Sequence, residues 1–97
     1  MKKEQVVEKL MEIECLKNKM FNYVNYKWDL KASQNEEEQK VLKEKIWANR
    51  NGIHSMIEMA KELNIIETEK SSMMIRKWLE EKTSEMMYAI YLNGLGE

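Results

Sequence analysis

Proline is absent from this 97-residue chain, and glycine occurs only at positions 52, 94 and 96. Proline fixes φ and removes a backbone donor, and glycine costs a helix interior about 1 kcal/mol relative to alanine. Nothing in the first 51 residues therefore forces the backbone out of a helix. The apolar fraction is 43% and the charged fraction 34%, a balance that amphipathic helices produce and disordered chains do not. A chain of this length makes one domain with a modest core of its own. An all-α fold of a few long helices is the first expectation.

Apolar spacing divides the chain into three helices at about residues 3–30, 36–63 and 68–93. In the first, Val6, Leu10, Ile13, Leu16, Met20, Val24 and Trp28 recur at steps of three and four, which places them on one face. Ala32-Ser33-Gln34-Asn35 interrupts the pattern. Ser33 with Glu36 fits a capping box, and Glu36, Glu37 and Glu38 suit the positive end of a helix dipole. The second helix carries Leu42, Ile46, Ile53, Met56, Ala60 and Leu63, with Asn49 filling the missing place in the seam. That single register predicts a helix continuous through Asn49 and Gly52. Asn64 suits a left-handed terminus, Thr68 an N-cap, and Gly94 a C-terminal stop with Leu95 folded back onto the helix. The third helix shows Ile75, Leu79, Met86 and Ile90, flanked by Met74, Trp78, Met87 and Tyr91. Short connections join antiparallel neighbours, so the expected architecture is an up-down-up bundle of three long antiparallel helices spanning residues 1–97. Its stripes are wider than three thin helices readily cover. Self-association, as a dimer or higher assembly through the first and third helices, is expected to bury the surplus.

Net charge is −1, a poor start for a protein that must neutralise phosphates. One cysteine, Cys15, excludes an internal disulfide and suits a reducing compartment; it reads as a structural, partly buried thiol. Lys2 and Lys3 precede mixed charge rather than an apolar run, so no signal peptide is expected. The longest apolar run, Met86 to Leu92, is too short to span a membrane. A cytoplasmic protein follows, and abundant Lys, Asn, Ile and Glu suggest a bacterial or phage genome.

The most site-like stretch is Trp47 to His54. Asn49 faces the seam, while Arg50, Asn51 and His54 share a flank with Trp47. Such crowding fits a small polar pocket or partner contact. It fits better a register-fixing Asn bonded to another helix or a symmetry mate, with His54 ion-paired to Glu58. Acidic residues are numerous, but Glu-x-x-His, His-Glu-x-x-His and Cys-x-x-Cys spacings are absent; neither a metal, a cofactor nor an enzymatic activity is expected. A helix-turn-helix reading of Met56 to Leu79 would put Lys70, Arg76 and Lys77 on a nucleic-acid-binding helix. It lacks a glycine in the turn and has Lys70 where an apolar contact belongs. Adjacent methionines, Met73-Met74 and Met86-Met87, lie 100° apart on a helix, so one of each pair sits at the edge of its stripe, where partners bind. The function expected is that of a small regulatory protein binding itself and another, unidentified protein. Met74, Trp78 and Met87 join Trp47, Asn49, Arg50, Asn51 and His54 as contact residues, and a nucleic-acid regulator is the alternative.

Overall fold

A computed structural model describes residues 1–95, where every regular element is a helix. There are four: α1 (Lys3–Met11), α2 (Glu14–Ala32), α3 (Glu36–Glu62) and α4 (Ser72–Leu95). The expected first helix of three is thus two. The chain breaks at Glu12–Ile13, where Ile13 takes an extended backbone (φ −80°, ψ 103°). The break turns α1 so that Val6, Val7 and Leu10 enter the same core as Leu16, Met20, Tyr23 and Val24 of α2. A straight helix would have carried those three side chains past the end of that core. Burial of three aliphatic groups, at roughly 1.5–3 kcal/mol each, outweighs the lost helical hydrogen bonds.

The α2–α3 connection is capped by Asn35, not Ser33. Asn35 Oδ1 accepts the backbone N–H groups of Glu37 at 2.9 Å and Glu38 at 3.1 Å, while Ser33 closes α2. α3 runs unbroken through Asn49 and Gly52. Its buried face is Leu42, Ile53, Ile57 and Ala60; Ile46 and Met56 are half-buried and Leu63 is exposed. The stripe expected to end on Met56 and Leu63 has rotated by one position, because α4 packs on the side of Ile57. Asn64 adopts the left-handed conformation at φ 58°. There Ile65 N–H bonds to Ala60 O at 2.9 Å and Asn64 N–H to Lys61 O at 3.1 Å, the paired bonds of a Schellman terminus.

α4 begins four residues later than expected. Thr68 caps nothing; its hydroxyl accepts Lys70 N–H at 3.1 Å within the turn. The capping hydroxyl is that of Ser71, which accepts Met74 N–H at 3.2 Å. At the other end Gly94 does not stop the helix, and Leu95 extends it instead of folding back.

Val6, Leu10, Leu16, Met20, Ile53, Ile57, Ile66, Ile75 and Leu79 are fully or almost fully buried. Two hydrogen bonds set α4 against α2: Arg76 to Tyr23 and Lys27 to Glu80. Each joins residues 53 apart in the chain. The two helices therefore run in the same direction, and Ala32, the last residue of α2, stands level with Glu85. α1 is held to α4 by the Lys3–Glu81 ion pair at 3.2 Å and by Lys3 Nζ lying 5.8 Å from the Trp78 ring centre. The molecule measures 42 × 34 × 19 Å with a radius of gyration of 14.5 Å. A compact domain of this length has a radius near 12.5 Å, so the shape is flat and extended.

Candidate functional site

The Trp47–His54 stretch does not form a pocket. Trp47 is 66% exposed, on an open surface shared with Glu36, Lys40, Lys43 and Glu44 of the same helix. Asn51 is also exposed. Asn49 is half-buried, and its Nδ2 donates to Lys45 O at 3.0 Å. The expected bond to another helix is absent because the amide turns back onto its own backbone one turn earlier. Arg50 and His54 are half-buried, and His54 lies within reach of the Arg76 charge on α4.

What lies there between α2 and α4 is a polar cluster with Arg76 and Tyr23 buried and Lys27 and Glu80 half-buried. Arg76, 7% exposed, donates from Nη1 to Tyr23 Oη at 2.8 Å and to Glu80 Oε2 at 3.2 Å. The other oxygen of Glu80 accepts from Lys27 Nζ at 2.5 Å. Both cations lie over the Tyr23 ring, Lys27 at 5.3 Å and Arg76 at 5.8 Å from its centre. One carboxylate and one phenol thus hold two cations between α2 and α4. Burial pulls the Lys27 pKa down, but the Glu80 carboxylate outweighs it and the group sits above its ordinary value. His54 goes the other way. Burial lowers its pKa, the positive charges of Arg76 and Arg50 push in the same direction, and Glu58 opposes them. His54 is not ion-paired to Glu58; that carboxylate is engaged by the Ser72 hydroxyl and lies 3.9 Å from Lys61 Nζ. Among the described residues, His54 Nε2, Arg76 Nε and Thr83 Oγ1 are buried without a hydrogen-bond partner.

Sequence spacing singled out Arg76 as a phosphate ligand beside Lys70 and Lys77. The latter two are exposed, but Arg76 is turned inward. Tyr23, Lys27 and Glu80 were missed. Their signal was the i,i+4 spacing of Tyr23 with Lys27 and of Arg76 with Glu80, which marks facing pairs along one helix but cannot say that the two pairs meet. No group of three or more His, Cys, Asp or Glu among the described residues is arranged to hold a metal. Cys15 is exposed, not partly buried, because it follows the Ile13 break on the outer side of α2.

The expected contact residues Trp78 and Met87 are half-buried against the core, and Met74 is 41% exposed. Most of the uncovered apolar surface lies elsewhere. At the α3–α4 turn Met59, Leu63 and Met73 are open, and near the α2–α3 end Trp28, Val41 and Trp47 are. The longest stretch is the end of α4, where Tyr88, Ile90, Tyr91, Leu92 and Leu95 are 47–66% exposed. No charged residue occurs between Met86 and Leu95, where Asn93 is the one amide side chain. No described helix is long and apolar enough to cross a membrane. No protein-family model matches the chain, and neither a curated protein nor a solved structure shows significant similarity to it.

Proposed function

We propose that this is a small regulatory protein that acts through protein–protein contacts, beginning with its own self-association. The observation that supports the reading is the end of α4: ten consecutive uncharged residues, five of them large apolar side chains about half or more exposed. Soluble monomers rarely leave a contiguous apolar surface of this kind open without a use for it. Trp47 and Val41 on α3 offer a second open surface for a different partner. The nucleic-acid alternative has less support, since Arg76 is committed to Tyr23 and Glu80 and leaves Lys70 and Lys77 as isolated surface charges. Light scattering at micromolar concentration tests the proposal. The expected mass is at least twice the 11.7 kDa of the chain; a monomer throughout the micromolar range would overturn self-association.

A further inference from the structure

The end of α4 carries two apolar stripes, not one. The core-facing stripe of Ile75, Leu79 and Thr83, all buried, continues to Met87, which packs against the core; Ile90, one turn on, is 62% exposed. On the opposite side lie Tyr88, Tyr91, Leu92 and Leu95, spaced i, i+3, i+4 and i+7, the pattern of a face that packs against another helix. The same side further back is charged, with Lys77, Glu81 and Glu85. The second stripe begins just after Glu85, the last α4 residue beside α1, and its four side chains are 47–66% exposed, so no described helix covers it.

We propose that this stripe is where two copies of the chain pair, α4 against α4 in antiparallel orientation; the proposal rests on the self-association argued above and names its surface. The spacing reads the same from both ends. About a two-fold axis between residues 91 and 92, Tyr88 meets Leu95 of the second copy and Tyr91 meets its Leu92. Each contact occurs twice, as a closed two-fold interface requires. Every pair sets a tyrosine ring on a leucine, and no charge is desolvated. Parallel pairing would instead set Glu85 and Glu81 beside their own counterparts. In the antiparallel register the two Glu85 carboxylates are about 20 Å apart along the helix axis, at 1.5 Å per residue, beyond the range of unscreened repulsion at physiological salt. The four side chains offer on the order of 450 Å² from each copy, about 900 Å² in all, which is smaller than a stable interface and within the size of weak, transient ones.

Sedimentation equilibrium across the micromolar range should find a wild-type dimer. Tyr91→Lys/Leu92→Lys, both at exposed positions, should keep its helical circular dichroism and weaken association at least tenfold, whereas Trp47→Lys on α3 should leave it unchanged. In a Cys15→Ser background, mixing Tyr88→Cys with Leu95→Cys chains under mild oxidation should give the mixed disulfide in preference to either like pair. A dimer that survives the double substitution, or that Trp47→Lys abolishes, overturns this interface while leaving self-association standing. Like-with-like disulfides overturn the antiparallel orientation. A wild-type monomer overturns both readings and leaves the stripe to a different protein.

Discussion

A guanidinium that is 7% exposed must find its partners inside the protein, and Arg76 has two of them on different helices. Removing the phenol hydroxyl leaves the charge buried with one acceptor fewer. Hydrogen bonds to charged groups contribute about 1.5–3 kcal/mol, so Tyr23→Phe is expected to destabilise the protein by that amount in urea unfolding. In a double-mutant cycle with Arg76→Met the loss should shrink, because no charge then remains to be satisfied. His54 makes a pH prediction. Its pKa is depressed in the folded state, from an ordinary value near 6.5, so the unfolded chain takes up the proton first as pH falls. Stability is whole above about pH 6.5 and is lost as pH drops through that value toward the folded pKa. His54 is the only histidine, so a decline in melting temperature between pH 7 and 5.5 should be assignable to it. His54→Gln should flatten that decline.

Among the elements, α3 was the most legible in its extent, because nothing at Asn49 or Gly52 ends the helix; its buried face was misread past Ile53, where Met56 and Ile57 are both apolar and only Ile57 is buried. Gly52 can be improved. A Cβ there would meet only the Lys19 side chain, with Nζ nearest at 3.4 Å, a flexible neighbour at ordinary contact distance. Gly52→Ala is expected to stabilise the protein by about 0.5–1 kcal/mol in thermal unfolding, and a loss would mean that Lys19 cannot yield. The break at Glu12–Ile13 was illegible for a physical reason. The apolar spacing continues across it in threes, neither glycine nor proline marks it, and the turn is favoured by packing into a core that the distant α4 completes. The start of α4 was ambiguous in another way. Thr68 and Ser71 are both competent caps three residues apart, and Ile66, buried at 2% exposure, anchors the turn so that only the later one is used. The Tyr23–Arg76 cluster lay beyond sequence reasoning altogether, since its members meet only after α2 and α4 are placed side by side.

At the scale of the molecule, the 42 × 34 × 19 Å outline departs from a slender three-helix rod because α1 and α4 spread beside the α2–α3 hairpin. A flat body covers less of its own apolar surface, and the exposed faces at both ends of α4 and along α3 are the result. If apolar contact drives association, its strength should not fall between 50 and 500 mM NaCl. A marked loss of dimer mass over that range would point to charge pairs instead. The same layout orders the steps by which the chain acquires its structure. α2 and α3 are neighbours joined by three residues, so their pairing closes a short loop. The Lys3–Glu81 bridge, by contrast, spans 78 residues. Nine-residue α1 is too short to persist as a helix by itself in water, where about 12–15 residues are marginal. Its core side chains are fully covered once α4 joins α2 in the core. The hairpin should therefore be the slowest region to exchange its amide hydrogens, and α1 a separately opening unit whose protection is lost first. On this layout Trp78, which α1 covers, reports the last event of folding, and Tyr23, between α2 and α4, an earlier one.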